Sequence, residues 1–402
     1  MPAAARYLRA WFASTFALLC VVVVVNLVVD PYGIFRIVEV TGVNRIKSQA
    51  SERGQVFKRS GVERMRPKSL ILGNSRAEIG FDPESPAWPA EARPVFNLAL
   101  PGAGMSAVAA EFAQAVASAT PRLAVVGLDF VDFRVEATSG GSFNPRSQRA
   151  DPMQWLRERA TALLTLSALG DSLATVKAQH EPYPAGLTDA GFNPKRDYIG
   201  VARREGYFAM FRQRDQENAL AYLRGPKSVV RPDGRPAPGF EALEHVFAVA
   251  RERRIALRLV IYPYHAHTLM LFHLTGLWPA YEDWKRELVR RADAARDTMD
   301  VELWDFTGFA PFADEQVPRP GDTDTELQWY WEAGHFKKSL GDLVLEDVLK
   351  SGPGGERWGR RLTGKNVEEQ LRAQRAARDA YDRVHAEVTS DLASLVAEAR
   401  RH

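Results

Sequence analysis

Short apolar runs recur along the chain, and longer stretches with a helical pattern of apolar and polar positions separate them. The runs lie at 69–72, 95–99, 123–126, 255–261 and 301–304, rich in Val, Leu and Ile and close to Gly or Pro. Short runs of this kind are typical of strands buried on both faces. The Ala-rich segment 105–119 predicts a crossover helix. Residues 66–350 are therefore predicted to form an α/β domain, a doubly wound parallel sheet with helices on both faces in three layers.

Two long segments interrupt this alternation. Residues 135–240 combine charge-rich helical pieces with loops rich in Gly and Pro, which predicts an insertion covering one edge or the mouth of the sheet. After the Gly-rich stretch 351–355, residues 356–402 mix Arg, Glu and Ala with apolar residues at rough helical spacing. This tail predicts one or two surface helices and is a candidate site for a protein partner.

The N-terminal region carries an uncharged span from Trp11 to Val29, preceded by Arg6 and Arg9. At 1.5 Å per residue its length is roughly 28 Å, enough to cross a bilayer as one helix. The positive residues predict that 1–10 remain in the cytoplasm and that the main domain lies in the periplasm, anchored to the inner membrane by a single pass. A cleaved signal peptide and a buried core helix are the alternatives, although the small residues of a cleavage site are missing before Asp30.

The charge balance and the cysteine count bear on which kinds of partner and site the protein can have. The 53 basic and 50 acidic residues nearly balance, at a net charge of +3, so a nucleic-acid partner is not expected. Cys20 is the single cysteine, which excludes an intramolecular disulfide and a cysteine-based zinc site.

Residues able to do chemistry follow each predicted strand. Ligands of open α/β sheets bind beyond the carboxyl ends of the strands, so these segments are expected to converge at one edge. The segments are Gly73-Asn74-Ser75-Arg76, Pro101-Gly102-Ala103-Gly104, Gly127-Leu128-Asp129-Phe130, Tyr262-Pro263-Tyr264-His265 and Asp305-Phe306-Thr307-Gly308, with Glu332 and His335 further downstream.

This set suits nucleophilic acyl transfer. A serine nucleophile needs a base for its proton and a group that orients the base. Ser75 on a tight turn is the candidate nucleophile and His335 the base. Glu332 stands three residues earlier, where a helical turn would place it on the same face. Backbone N–H groups of Ser75 and Gly102 are candidate donors to an oxyanion.

These segments resemble the SGNH (GDSL-type) hydrolase superfamily. Ser75 matches the serine of its first block, Gly102 the glycine of the second, and Glu332-x-x-His335 the Asp-x-x-His block. The resemblance implies a cofactor-free serine esterase or O-acyltransferase. With the N-terminal anchor, it is similar to membrane-tethered SGNH-like proteins associated with bacterial surface polysaccharides, which implies an ester-bearing, glycan-type substrate.

Two positions depart from the family pattern. Asp129 stands where the third block supplies an oxyanion-hole asparagine, and a carboxylate there would repel an oxyanion. Glu332 replaces an aspartate, and Asp305 is an alternative orienting acid. These departures leave open a second hypothesis, a non-catalytic SGNH-like component of surface-polysaccharide assembly or binding.

Other interpretations of the same residues remain at this stage. Gly102-x-Gly104-x-x-Ala107 with Asp129 downstream fits a dinucleotide-binding fingerprint, although an earlier strand precedes it. The histidines at 265, 267 and 273 suggest a metal, but no carboxylate completes a recognisable spacing. Ser75 is also compatible with a simple turn residue, His265 is the alternative base, and the aromatics at 329–331 either pack or bind a sugar.

Overall fold

The structure is a computed structural model that describes residues 2–135, 152–225, 227–350 and 357–401. Its chain divides into two units. One comprises Met1–Arg64 and Ala150–Asp197, and the other comprises Met65–Arg149 and Tyr198–His402. We call the first the N-terminal unit and the second the sheet unit.

Thirteen helices and eight strands occur in the described ranges. The helices are α1 (Pro2–Val29), α2 (Gly54–Met65), α3 (Ser75–Gly80), α4 (Met105–Ser118), α5 (Pro152–Leu164), α6 (Leu166–Ala178), α7 (Arg196–Leu223), α8 (Pro238–Arg253), α9 (Ala266–Leu274), α10 (Trp278–Arg296), α11 (Lys338–Leu349), α12 (Val367–Val384) and α13 (Ala386–Ala399). The strands are β1 (Ser69–Leu72), β2 (Val95–Asn97), β3 (Leu123–Leu128), β4 (Ala256–Ile261), β5 (Val301–Asp305), β6 (Tyr330–Glu332), β7 (His335–Phe336) and β8 (Arg360–Arg361).

In the N-terminal unit, α1 is mostly exposed and packs against α5 and α6. Its segment Ala4–Val29 is long and apolar enough to cross a membrane, and it is the one such helix in the described chain. The helix ends at Val29, and the carboxylate of the next residue, Asp30, accepts hydrogen bonds from the backbone N–H groups of Ile34, Phe35 and Arg36. These bonds satisfy the amides of the turn that follows the helix.

The sheet unit is built on a mostly parallel six-stranded sheet in the order β2-β1-β3-β4-β5-β8. Strands β1 to β5 are parallel, and β8 pairs antiparallel with β5. The chain runs from β1 to β2 on one side and then returns to β3 on the other side of β1. The order therefore reverses at β1 and β3, where open α/β sheets form a crevice beyond their carboxyl ends.

All five predicted strands are present. Consecutive residues of β1 and β3 are buried, and because neighbouring side chains point to opposite faces, both faces of the sheet are covered. Strand β2 ends earlier than predicted, at Asn97, whose side-chain amide donates to the carbonyls of Ala77 and Phe81. Strand β8 was not predicted, since two exposed arginines at a sheet edge carry no apolar pattern.

The predicted insertion contributes to both units. Its part at 136–151 lies outside the described residues. Helices α5 and α6 belong to the N-terminal unit, whereas α7 from Tyr198 onward belongs to the sheet unit. Helix α8, which begins at the end of the insertion, packs on α4. The predicted crossover helix is present as α4.

The C-terminal tail forms α12 and α13, which pack on α10 and α9 respectively. The Gly-rich stretch predicted before it, 351–355, lies outside the described residues. A buried polar cluster joins α12 to the sheet, because the Lys285 ammonium donates to Asp305 at 2.8 Å and to Gln374 at 2.8 Å. Of the apolar positions of the tail, Leu371, Leu392 and Leu395 are buried, whereas Val384 is exposed.

Candidate active site

Ser75 begins α3 directly beyond the end of β1. Between them, Gly73 has a φ of +145°, and a side chain there would collide with the hydroxyl of Tyr262. Asn74 caps the helix, since its side-chain oxygen accepts from the backbone N–H of Arg76 at 3.1 Å. The result is a tight strand-to-helix turn with Ser75 partly exposed at its tip.

Glu332 and His335 lie on the hairpin of β6 and β7. The prediction of a shared helical turn is wrong: the two residues pair directly across the hairpin, with Ala333 and Gly334 as its two-residue turn. A two-residue hairpin also brings positions i and i+3 together, so the same spacing serves both geometries. The turn is anchored by Thr268, whose hydroxyl donates to the carbonyl of Ala333 at 2.7 Å.

The serine, histidine and glutamate form one hydrogen-bonded line. The Nε2 atom of His335 lies 2.8 Å from the Oγ atom of Ser75, and its Nδ1 atom contacts the Glu332 carboxylate. An ionised carboxylate only accepts hydrogen bonds, so Nδ1 carries the proton. The Nε2 lone pair then faces the Ser75 hydroxyl and can take its proton.

Close helix packing fixes this line. Helix α3 packs against β7 and α11, the elements that carry and follow His335. A side chain on Gly80 would collide with the Phe336 ring, and one on Gly341 would collide with the Gly80 carbonyl. The two glycines therefore let α3 approach the hairpin closely enough for Ser75 to reach His335.

Glu332 is held in the ionised state. Its side chain is only 3% exposed, and Arg214 on α7 forms an ion pair with it at 3.1 Å. The Gly334 N–H also donates to it at 2.5 Å. Burial on its own raises the pKa of Glu332, but the charges of His335 and Arg214 and these hydrogen bonds lower it to about 2. The orienting carboxylate is thus charged over the whole working pH range.

The depressed pKa of Glu332 predicts a pH-dependent contribution to stability. The unfolded chain has the usual value near 4.5 and the folded chain about 2, so the stabilisation is complete above about 4.5 and is lost as the pH falls through about 2. The Glu332→Gln variant lacks this contribution. We expect the difference in urea midpoint between the two proteins to be largest near pH 7 and to shrink below about pH 4.5. A difference that stays constant down to about pH 2 would contradict the assignment.

Asp129 follows β3 and is turned toward the nucleophile turn. Its carboxylate accepts hydrogen bonds from Asn74 at 2.8 Å and from the Tyr264 hydroxyl at 2.9 Å, and it forms a contact ion pair with Arg76. Burial disfavours the charged guanidinium, yet Asp129 raises the pKa of Arg76. The prediction that Asp129 belongs to the oxyanion hole does not fit these bonds, because its oxygens are committed to four donors, the fourth being the Val131 N–H at 3.4 Å. The same hydrogen bonds leave the Asp129 carboxylate unsuited to bind the ribose of a nucleotide.

Gly102 follows β2 and has a φ of +70°. The β2 loop is tied to the nucleophile turn, since the Leu100 N–H donates to the carbonyl of Gly73 at 3.1 Å. Among the described residues, neither the Ser75 N–H nor the Gly102 N–H has a hydrogen-bond acceptor. Both amides are therefore available to an incoming ligand oxygen.

Asp305 and His265 are engaged elsewhere. The Asp305 carboxylate binds Lys285 and Thr307, and none of its hydrogen bonds within the described ranges goes to His335. His265 caps α9: its Nδ1 accepts from the His267 N–H at 3.2 Å, and its Nε2 lies 3.0 Å from the Glu315 carbonyl. Burial lowers the pKa of His265 well below its usual value, which keeps the ring neutral.

The remaining sequence candidates take up packing roles. His267 pairs with Asp215 at 2.8 Å, and His273 is exposed near the Trp278 ring. Within the part of the chain that the structure describes, no three His, Cys, Asp or Glu side chains are grouped to hold a metal ion. Tyr330 and Trp331 are buried, and the Trp331 ring packs under the Lys337 ammonium at 4.4 Å.

The sequence did not predict the residues that support the hydrogen-bonded line of Ser75, His335 and Glu332. Arg214 lies in the predicted insertion, far from any motif, and one arginine among many gives no signal. Arg76, Tyr262 and Tyr264 were visible in the quoted segments. The alternation of Tyr262 and Tyr264 at the end of β4 was the available clue, since it places both rings on one side.

Comparison with known proteins gave no match. No protein-family model, curated protein or solved structure matches this chain. The function must therefore be argued from the residues and their geometry.

Proposed function

We propose that the chain is a membrane-anchored SGNH-like serine esterase or O-acyltransferase that acts on an ester-bearing, glycan-type substrate. Ser75 is its nucleophile, His335 its general base and Glu332 the group that orients the base. The observation that carries this proposal is the distance of 2.8 Å between Ser75 Oγ and His335 Nε2, in line with the buried Glu332.

The reaction proceeds in two halves. His335 takes the proton as Ser75 Oγ attacks the ester carbonyl, and the tetrahedral intermediate collapses when His335 returns that proton to the leaving alkoxide. His335 then deprotonates a water or a sugar hydroxyl, which attacks the acyl-enzyme. The second tetrahedral intermediate collapses as His335 returns this proton to Ser75 Oγ, which releases the acid or the new ester and restores the free serine. Water as the acceptor gives an esterase, and a glycan hydroxyl gives an O-acyltransferase.

Backbone amides stabilise the oxyanion in this proposal. The N–H groups of Ser75 and Gly102 are the donors, and both lack an acceptor within the described chain. Asp129 acts indirectly, by holding Asn74 and Arg76 on either side of the nucleophile. Asp129 in place of the family asparagine thus removes one hydrogen-bond donor from the oxyanion hole, but it does not bring a free negative charge to the oxyanion.

The fold supports the superfamily assignment. The parallel strands have the order 2-1-3-4-5, an order found in doubly wound sheets, and the candidate residues lie beyond their carboxyl ends. The alternative, a non-catalytic relative, would tolerate a separated serine and histidine. Their direct hydrogen bond favours the catalytic proposal.

The proposal places α1 in the inner membrane, with residues 1–10 in the cytoplasm and the sheet unit in the periplasm. A reporter active only in the periplasm, fused after residue 60, should give full signal, and a reporter active only in the cytoplasm should give none. The expectation follows from Arg6 and Arg9 before the uncharged span. The reverse pattern would overturn the orientation, and a mature N-terminus at or after Asp30 would replace the anchor with a cleaved signal.

Ester hydrolysis by the purified full-length protein tests the activity. Release of nitrophenol from nitrophenyl acetate should depend on Ser75 and be lost in Ser75→Ala. Ser118→Ala is the matched control, because Ser118 is an exposed serine at the end of α4. Adding acetylated and unacetylated oligosaccharides then separates hydrolysis from transfer. Equal rates in the wild type and in Ser75→Ala would overturn the proposal.

A further inference from the structure

The N-terminal unit exposes a patch of leucines where α5 meets α6. Leu164, Leu166 and Leu173 are 50%, 72% and 64% exposed. No charged residue occurs between positions 160 and 170. A group of large exposed apolar side chains on a folded unit marks a surface that meets an apolar environment. We call residues 160–170 the hairpin tip.

The hairpin tip packs beside the apolar span of α1. The Asn26 amide donates to the carbonyls of Leu163 at 2.9 Å and Thr165 at 3.3 Å, and its oxygen accepts from the Ser172 hydroxyl at 3.0 Å. Asn26 lies four residues before Asp30, which is about 6 Å along a helix. The hairpin tip is therefore level with the last turn of the membrane-spanning segment, inside its polar end.

Polar groups around Thr165 are bonded within the protein. The Leu163 carbonyl in the last turn of α5 has no partner in a regular helix, and the Asn26 amide supplies one; the Thr165 carbonyl accepts from the Leu169 N–H at 3.3 Å as well as from Asn26. The Thr165 hydroxyl donates to the Thr161 carbonyl at 2.8 Å and accepts from the Ala168 N–H at 3.3 Å. Hydrocarbon offers no water to backbone groups, so internal bonding of this kind is what lipid burial requires.

Aromatic and charged side chains surround the part of the N-terminal unit that lies next to the hairpin tip. The Arg53 guanidinium lies 4.7 Å from the Tyr32 ring centre, and Tyr32 also bonds to Asp171. The Arg159 guanidinium lies 5.2 Å from the Phe35 ring centre. Charged side chains such as these two arginines belong in the headgroup region of a bilayer rather than in its hydrocarbon core. The N-terminal unit is thus apolar at the hairpin tip, and the part next to the tip carries the charged groups expected at a membrane interface.

We propose that the hairpin tip inserts into the membrane beside α1, so that Leu164 and Leu166 contact lipid acyl chains. The N-terminal unit then contacts the bilayer through three helices, α1, α5 and α6, rather than through α1 alone. The occupant of the leucine patch is lipid, because the patch continues the lipid-facing surface of α1 at the same depth. This inference rests on the membrane anchor proposed above and on no part of the hydrolase proposal.

Depth-dependent fluorescence quenching tests the inference on the full-length protein. Cys20→Ser provides a cysteine-free background, into which Leu166→Cys, Leu18→Cys and Lys177→Cys are introduced singly and labelled with bimane. Leu18 is an exposed residue of α1, and Lys177 is exposed in the last turn of α6, about 16 Å beyond Leu166. Each protein is reconstituted in phosphatidylcholine and phosphatidylglycerol vesicles with acyl-brominated lipid, and its melting temperature is compared with the background.

We expect brominated lipid to quench the label in Leu166→Cys and Leu18→Cys at least about threefold more strongly than in Lys177→Cys. Aqueous iodide should give the opposite order. A label in Leu166→Cys that behaves like the one in Lys177→Cys, while Leu18→Cys stays in lipid, would overturn the hairpin insertion and leave the anchor intact. Iodide access in Leu18→Cys would instead overturn the anchor. If Leu166→Cys does not fold, Leu164→Cys replaces it.

Discussion

Replacing His335 with alanine is expected to lower the rate at which Ser75 reacts with a fluorophosphonate by at least about a thousandfold. The serine hydroxyl is a weak nucleophile, and the Nε2 atom of His335 at 2.8 Å is the base that takes its proton. The rate is measured on the purified full-length protein by intact-protein mass spectrometry over time.

His273→Ala is the matched control for this variant, because His273 is an exposed histidine on α9 that does not contact the line. It should label at the wild-type rate. His265→Ala tests the alternative base, and we expect its effect to be far smaller at equal folded fraction. Unchanged labelling in His335→Ala would remove His335 from the mechanism.

The second large effect concerns stability. Asp129→Asn is expected to lower the free energy of unfolding by about 3–5 kcal/mol, because it leaves the Arg76 guanidinium buried without its counter-charge. The two side chains are 12% and 1% exposed, so water cannot replace the lost partner. Urea denaturation of the full chain in detergent, followed by tryptophan fluorescence, measures the change.

Two further variants separate this effect from a general loss of packing. Asp300→Asn removes a carboxylate from an exposed pair with Arg258 and should cost less than about 1 kcal/mol. Adding Arg76→Met to Asp129→Asn removes the orphaned charge and should recover part of the stability. Faster fluorophosphonate labelling in Asp129→Asn at full stability would show that Asp129 faces the oxyanion instead.

The strands could be predicted because the signal for each of them, a short apolar run, lies within a few consecutive residues. The runs around Leu70 and Val125 are continuous and apolar, and the run around Leu259 is interrupted only by Arg258. Short runs of this kind are typical of strands buried on both faces. Strand β8 has no such signal, because its pairing with β5 comes from backbone bonds at an edge. The motif order likewise predicted that Ser75 and His335 share one site, and the structure brings Oγ and Nε2 of these residues to 2.8 Å.

The electrostatic surroundings could not be predicted. Arg214 reaches Glu332 from a helix whose sequence carries no motif, and the contact exists only after long-range folding. The orientation of the Asp129 side chain could not be predicted for the same reason, because it depends on contacts with Arg76 and Tyr264 that exist only in the folded chain. The spacing of Glu332 and His335 fits a helical turn as well as a two-residue hairpin, so spacing alone does not predict which of the two joins them.

Site-resolved fluorophosphonate labelling tests the central claim most directly. The probe forms a covalent bond with an activated serine, and peptide mass spectrometry then identifies the labelled residue. The account predicts that the wild-type protein is labelled at Ser75, that Ser75→Ala is not labelled, and that Ser118→Ala labels like the wild type. A folded wild-type protein that stays unlabelled, or that is labelled equally after Ser75→Ala, would contradict the claim that Ser75 is a catalytic nucleophile.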